Sequence, residues 1–469
     1  MVKAVAAPES DGTPGGGDPR GFRGASEPPG GGGPSALKRE LGRWDLTAMG
    51  INIAIGAGIF LVPAQAAHLV GSWAPLVCIF LGFTGLIIGL CFAEVGSRFD
   101  GTGGPYLYTR AAFGRFAAFE VGWMAWFTRA AAQASVVNGL VLALGFYWPA
   151  VRGSLGRTLV IVGLTSFLAF INVRGVRLSA WLINGLTIGK LVPLAIFGLV
   201  GLFFVNTARL VPSGPVGWSE TSSAALLLLF IFSGYEVIAV PAGEARNPRA
   251  TVPFAIMATV AVITVINTLV QVVAEGTLPS LASSQTPLAD AAFIFMGPGG
   301  AMLIGVGSVV SMTGTSAGQL LTASRLLFAL GENRDLPTFF ARVHPRFRTP
   351  SNAVLFSAAV TLTLALSGSF AALAAASAVA RLITYLGVCT ATLRLRNHRF
   401  DDLVRPATFV TPFGSLVPVL ATILSLGILV GASRQQIVAG VLALVGGAGL
   451  FFAATARRNR TTVTADTTA

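Results

Sequence analysis

Apolar residues fall into twelve long runs, separated by short polar or charged connections. The runs lie at about 46–70, 73–97, 116–147, 156–175, 178–206, 221–242, 252–276, 291–328, 352–368, 370–393, 414–432 and 435–455. A helix needs roughly 20 mostly apolar residues to cross a bilayer, and most of these runs are that long. Several are longer, which predicts tilt or extension beyond the hydrocarbon layer. Twelve crossings return the chain to the side on which it began. The longest connections, 98–115, 329–351 and 394–413, belong to that side, and the opposite loops are short.

Two runs are interrupted. The first contains NIAIGAGIF, residues 52–60, with Gly56 and Gly58 flanking Ala57. The sixth reads LLLLFIFSGYEVIAVPAGEARNPRATVP, residues 226–253, and is broken by Ser233-Gly234, with Glu236 close behind and Pro241 beyond. A helix broken at mid-membrane frees N–H and C=O groups, and lipid cannot satisfy them, so a break persists where it lines a polar cavity. The N–H groups of Ala57, Gly58 and Ile59 can hold a carboxylate at the positive end of a half-helix. The carbonyls of Ala54 and Ile55 can accept from an ammonium. For the first break alone, close helix packing through small residues is an equal alternative. The second break, 178 residues after the first, favours a binding site. Interrupted helices at matching places in two five-span halves point to an inverted-repeat secondary transporter.

Composition agrees. The 469 residues are 54% hydrophobic and 11% charged, with a mean hydropathy of +0.74, too apolar for a soluble domain of this size. The formal charge of +13 would suggest nucleic acid in a soluble protein. Here it follows the membrane, and no nucleic-acid partner is expected. With twelve spans and both ends inside, only Arg152, Arg157, Arg209 and Arg434 fall outside, whereas 25 of the 32 Lys and Arg residues fall on the inner side. That excess puts both termini in the cytoplasm. Residues 1–40 read as a disordered Gly/Pro-rich tail, 41–456 as one transmembrane domain and 457–469 as a short polar tail. Cys78, Cys91 and Cys389 all lie in apolar runs, and His68, His344 and His398 are scattered. No disulfide framework, metal site or cofactor is expected, and no nucleophile, metal cluster or paired acid motif suggests an enzyme.

Four stretches together resemble the bacterial amino acid permeases of the amino acid–polyamine–organocation superfamily. They are IGAGIFLVP (55–63), FAEVGSRFDGTGGPYLYTRAAFG (92–114) with GW at 122–123, FSGYEVIAVPAGEARNPRATVP (232–253), and TASRLLFALGENRDLP (322–337) followed by RFRTP (346–350). The resemblance covers about residues 40–400. It implies an all-α polytopic membrane protein of the leucine-transporter-like kind, with five plus five inverted spans and two extra helices, twelve transmembrane helices in all. It also implies that Gly56-Ala57-Gly58 binds the substrate α-carboxylate, that Phe230 packs over the substrate and that the Ser233 carbonyl meets the α-amine next to Gly234. Glu236 matches a carboxylate implicated in proton sensing and gating. Where some members carry Ser, Ala57 offers no hydroxyl.

Three charges fall within runs. Lys190, one of only three lysines, is about 12 residues from the inner loop, roughly 18 Å along a helix, which is long for snorkelling. An ionisable group held there is a functional candidate. In the resembled family, a lysine on this helix stands where sodium-coupled relatives hold sodium. Arginine does not deprotonate in proteins, so Arg129 and Arg381 are expected to pair with carboxylates or freed carbonyls. Glu94 and Glu244, at the inner ends of spans two and six, are candidates for a gate with arginines of the 98–115 loop. The expected function is sodium-independent, proton-coupled uptake of amino acids, with Ile55, Phe230 and Ile231 suggesting neutral side chains. An exchanger, a polyamine or amine permease, and a non-transporting sensor are the alternatives.

Overall fold

A computed structural model describes residues 37–368 and 370–466. Fourteen α-helices carry almost all of it, and the only β pairing among the described residues is an isolated bridge between Leu41 and Ala245. The first apolar run is two helices, α1 (Arg43–Ala54) and α2 (Gly58–Val70), separated by the bend at Ile55–Ala57. Then follow α3 (Ala74–Gly96), a short α4 (Pro105–Phe113), α5 (Arg115–Tyr147), α6 (Ser154–Arg174) and α7 (Val176–Gly201). Beyond them are α8 (Trp218–Leu229), α9 (Pro248–Thr277), α10 (Pro287–Glu332), α11 (Ser351–Ser367), α12 (Phe370–Arg394), α13 (Leu416–Val430) and α14 (Arg434–Asp466). The N-terminal tail lies outside the described residues up to position 36, and α14 carries the backbone through most of the segment read as a polar C-terminal tail.

Among the described residues, eight helical segments are long and apolar enough to cross a membrane, against twelve runs in the sequence. The difference lies in the broken first and sixth runs and in two short helices. Helices α1 and α8 have 12 residues each, while α11 and α13 are apolar but have 17 and 15. The sixth run departs furthest from expectation, since only its first half is α-helical. After Leu229 the chain continues through Gly234 in a left-handed conformation (φ 124°) and then through 3-10 turns at Tyr235–Ala239 and Ala242–Glu244. Pro241 supplies no N–H within this stretch, which works against a regular helix. The eighth run is also divided, because Gly297 (φ 64°) and Pro298 kink α10 near its start.

The polarity of the bundle is that of a multi-pass membrane protein. Large apolar side chains point outward, among them Phe83, Leu155, Trp181, Ile188 and Ile423. Polar and charged side chains such as Asn52, Arg129, Gln133, Lys190 and Glu236 are buried. Helix α1 sits centrally, against α7, α9 and α10, and α5 is packed between α10 and α12. Asp45 starts α1 by accepting from the N–H of Gly42 at 2.8 Å, and Asn184 of α7 donates to its other oxygen at 2.7 Å. A carboxylate at this end also suits the helix dipole.

One end of the bundle is closed by ion pairs. Arg325 of α10 grips Glu244 with two bonds of 2.9 and 3.0 Å, both side chains fully buried. Arg396 holds Glu94 at 2.7 and 2.5 Å. Asp335 receives Arg110 at 3.0 Å and Arg115 at 2.6 Å. Tyr106 donates to the same carboxylate at 2.6 Å, and burial together with the charge on Asp335 pushes this phenol up, so it stays a donor. The backbone closes the same end, with Leu41 N–H on Glu244 O (2.9 Å) and Arg246 N–H on Leu41 O (3.0 Å). These partners correct the sequence expectation. Glu94 and Glu244 pair with Arg396 and Arg325, and the loop arginines Arg110 and Arg115 serve Asp335.

Breaking a buried pair on one side leaves an uncompensated charge, at a cost of about 3–5 kcal/mol. Arg325→Ala is therefore expected to lower the melting temperature of the detergent-purified protein markedly. Adding Glu244→Ala should restore part of the loss, and a double variant as unstable as the single one would count against a direct coupling of the two.

Candidate functional site

The centre of the bundle is built on the break in α1. Helix α1 ends at Ala54, Ile55 leaves helical geometry (ψ 81°), and α2 starts at Gly58. Gly56 N–H donates to Ala54 O at 3.0 Å, turning the chain tightly. Among the described residues, none accepts a hydrogen bond from the N–H groups of Ala57, Gly58 or Ile59. They stand at the positive end of α2.

Lys190 answers the other end of the break. Its ammonium donates to the carbonyls of Asn52 (2.8 Å), Ile55 (2.7 Å) and Ser311 (3.0 Å) and to the Thr315 hydroxyl (3.2 Å). It is fully buried. The Ser311 and Thr315 hydroxyls donate to the same carbonyls, Ser311 to Ile55 O at 2.8 Å and Thr315 to Asn52 O at 2.8 Å. A cation thus sits at the negative end of α1, where the helix dipole favours it. This geometry commits the Ile55 carbonyl to Lys190, not to a substrate ammonium. Four oxygens thus surround the ammonium.

The second break is organised by Glu236. One of its oxygens accepts from the N–H of Gly234 at 2.6 Å and from the Tyr385 hydroxyl at 3.1 Å. The other pairs with Arg129 at 2.7 Å and lies 3.3 Å from Nε of Arg381. The carboxylate therefore satisfies its own helix break and gathers both intramembrane arginines, as their expected pairing required. Tyr235 stacks on Tyr385, with Phe92 edge-on to both, and fixes the tyrosine that reaches Glu236.

Between the two breaks is a closed cavity of about 10 Å³, room for roughly one water. Ala54, Gly56, Phe230, Ser233 and Gly234 line it, together with Ile53, Val136, Thr315, Gln319 and Arg381, whereas Ala57, Gly58 and Ile59 lie beside it and do not form its wall. Ile55 and Ile231, expected to give the pocket an apolar character, are buried beside it and do not form its wall. Thr315, Gln319 and Arg381 come from α10 and α12, remote in sequence from both breaks. Arg381 was visible in the sequence as a charge in a span, but Thr315 and Gln319 carry no comparable signal. Phe230 also lines a larger cavity of about 720 Å³ with Gln65, Trp218, Ser222 and Gln436, and is the residue common to the two walls. No group of three or more His, Cys, Asp or Glu positioned to hold a metal occurs among the described residues.

The sequence model for the family described as "Amino acid permease" matches residues 41–452. The branched-chain amino acid permease BcaP of Bacillus subtilis is 26% identical over 90% of this chain and 94% of its own length. The serine/threonine exchanger SteT of the same organism is 28% identical over 89% and 96%. The chloroplastic cationic amino acid transporter 9 of Arabidopsis thaliana is 30% identical over 66% of this chain, which spans only 58% of that relative's length.

Gly234 is the position where the two breaks touch. Its φ of 124° is one that other residues rarely adopt, and a Cβ there would lie 2.7 Å from the backbone N and 2.8 Å from the Cα of Ala54. Backbone cannot swing aside as a flexible side chain can. Gly234→Ala is expected to destabilise the protein by about 1–3 kcal/mol and to abolish any stabilisation by amino acids in a thermal melt. A variant that melts and responds like the parent would contradict the close approach of the two breaks.

Proposed function

The chain belongs to the amino acid permease family, and on that premise we propose that it is a secondary active transporter of amino acids, driven by protons and indifferent to sodium. The reading extends the family resemblance to a leucine-transporter-like arrangement of five plus five inverted spans with two extra helices. It places the protein in the plasma membrane with both termini, including the 1–40 and 457–469 tails, in the cytoplasm. The α-carboxylate of the substrate rests on the free N–H groups of Ala57, Gly58 and Ile59, and its ammonium on the Ala54 and Ser233 side of the cavity. Phe230 closes the path to the larger cavity, and Glu236 links the bound state to the arginines behind it. The ion-paired end is then the cytoplasmic gate, shut in this conformation.

The observation that carries the coupling is the Lys190 ammonium on the Asn52, Ile55 and Ser311 carbonyls. When protonated, it holds α1, α7 and α10 together at the break and fills a cage that would otherwise suit a sodium ion. Loss of its proton removes the charge that joins them and frees α1 to move against its neighbours. A ligand-free protein would release the proton inward and reload from outside, giving symport by alternating access. The relatives' names cover branched-chain amino acids, serine and threonine, and cationic amino acids. They support transport of amino acids as a class and leave the side chain to the site's own chemistry.

The test is uptake of radiolabelled amino acids into proteoliposomes under an imposed proton gradient, a sodium gradient, or internal substrate alone. Proton-driven uptake, unchanged by sodium and reduced at least about tenfold in its response to the gradient by Lys190→Ala, is expected. Sodium-driven uptake would sink the role given to Lys190, and uptake seen only with internal substrate would make the protein an exchanger.

A further inference from the structure

Two arginines share one carboxylate at the centre of the bundle, and the share is unequal. Arg129 takes the short bond to Glu236 (2.7 Å). The other oxygen of that carboxylate accepts from Gly234 N–H and the Tyr385 hydroxyl. Arg381, only 3% exposed, lies 3.3 Å from Glu236 through Nε without making a hydrogen bond, and its Nη2 reaches Ser377 Oγ at 3.5 Å. Its Nη1 has no partner at all among the described residues. Its guanidinium also sits 5.8 Å from the centre of the Phe230 ring, the closing aromatic, and lines the cavity. Since arginine keeps its charge, Arg129, Arg381 and an ionised Glu236 sum to +1, and Arg381 is the member of the cluster that lines the cavity. Lys190 adds a second positive charge whenever it is protonated.

A buried guanidinium with unmet donors is costly, and an incoming carboxylate satisfies it with charge-assisted bonds of matching geometry. We propose that Arg381 is the specificity-determining residue of this permease and that its substrate carries an anionic side chain, an acidic amino acid. This rests on the permease reading above, in which the backbone N–H groups of the α1–α2 break hold the α-carboxylate. Arg381 is then left for a second carboxylate. Gln319, whose Oε1 is buried, unbonded and part of the same cavity wall, supplies an acceptor for the ammonium in place of the occupied Ile55 carbonyl. The same positive charge disfavours cationic amino acids and polyamines. The neutral substrate expected from Ile55, Phe230 and Ile231 gives way because two of those three do not line the cavity.

The experiment compares glutamate, aspartate, glutamine, leucine and arginine as substrates of the purified full-length protein in proteoliposomes. Each is tested as labelled substrate and as competitor, with wild type, Arg381→Gln and Arg381→Lys. Wild type is expected to favour glutamate or aspartate over glutamine by at least about tenfold in kcat/KM and to reject arginine. A site built to hydrogen-bond one substrate group rejects analogues lacking it by large factors. Arg381→Gln should therefore lower acidic-substrate uptake by roughly 100-fold while glutamine uptake holds or rises, and Arg381→Lys should retain part of the acidic preference. Preference of the wild type for leucine, glutamine or arginine overturns the proposal and leaves the permease reading intact. So does an equal loss of glutamate and glutamine uptake in Arg381→Gln, which would mean that Arg381 holds the α-carboxylate. Competition on the wild type decides the matter even if a variant does not fold. No uptake of any amino acid overturns both readings.

Discussion

A helix interrupted inside a bilayer must find partners for the backbone groups it frees, and the rest of this protein is arranged around that need. At the first break the freed carbonyls of α1 meet the Lys190 ammonium and the hydroxyls of Ser311 and Thr315. At the second, the freed N–H of Gly234 meets the carboxylate of Glu236. One break is thus satisfied by a cation and the other by an anion. Each of these charges is itself costly to bury, so each is fixed by further polar contacts. Helices α7, α10, α5 and α12 supply those contacts, which is why they surround α1 and the sixth run.

This arrangement makes the centre ordered. The cage around Lys190 ties α1, α7 and α10 through a single nitrogen. Glu236 performs the equivalent service for α5, α8 and α12. Its charged partners are the arginines Arg129 and Arg381, which retain their charge. Arg129 and Arg381 each keep a nitrogen without a partner among the described residues, and Arg381 is the one of the two that lines the cavity.

One end of the bundle is locked by Glu244–Arg325, Glu94–Arg396 and the Asp335 cluster, together with backbone bonds from Leu41. Elsewhere a larger cavity has Phe230 in its wall, and Phe230 also lines the small central cavity. Charged pairs buried in protein hold strongly but come apart as units, whereas an aromatic ring turns on two bonds.

Much of this was legible in the chain itself. The apolar runs, the glycines at 56 and 58, the Ser233-Gly234 break and the isolated lysine at 190 identify a membrane bundle with two interrupted helices and a buried cation. These are properties of local composition, since any span that admits such residues must answer for them. Tertiary structure alone decided the partners. That Glu244 meets Arg325 and not an arginine of the 98–115 loop depends on how α10 crosses the sixth run. That the Ile55 carbonyl belongs to Lys190, and that Thr315, Gln319 and Arg381 form the cavity wall, depends on contacts between residues far apart in sequence. Periodicity and motif report which groups need satisfying, but the group that satisfies each is set by the rotation and register of packed helices, and no local pattern encodes these.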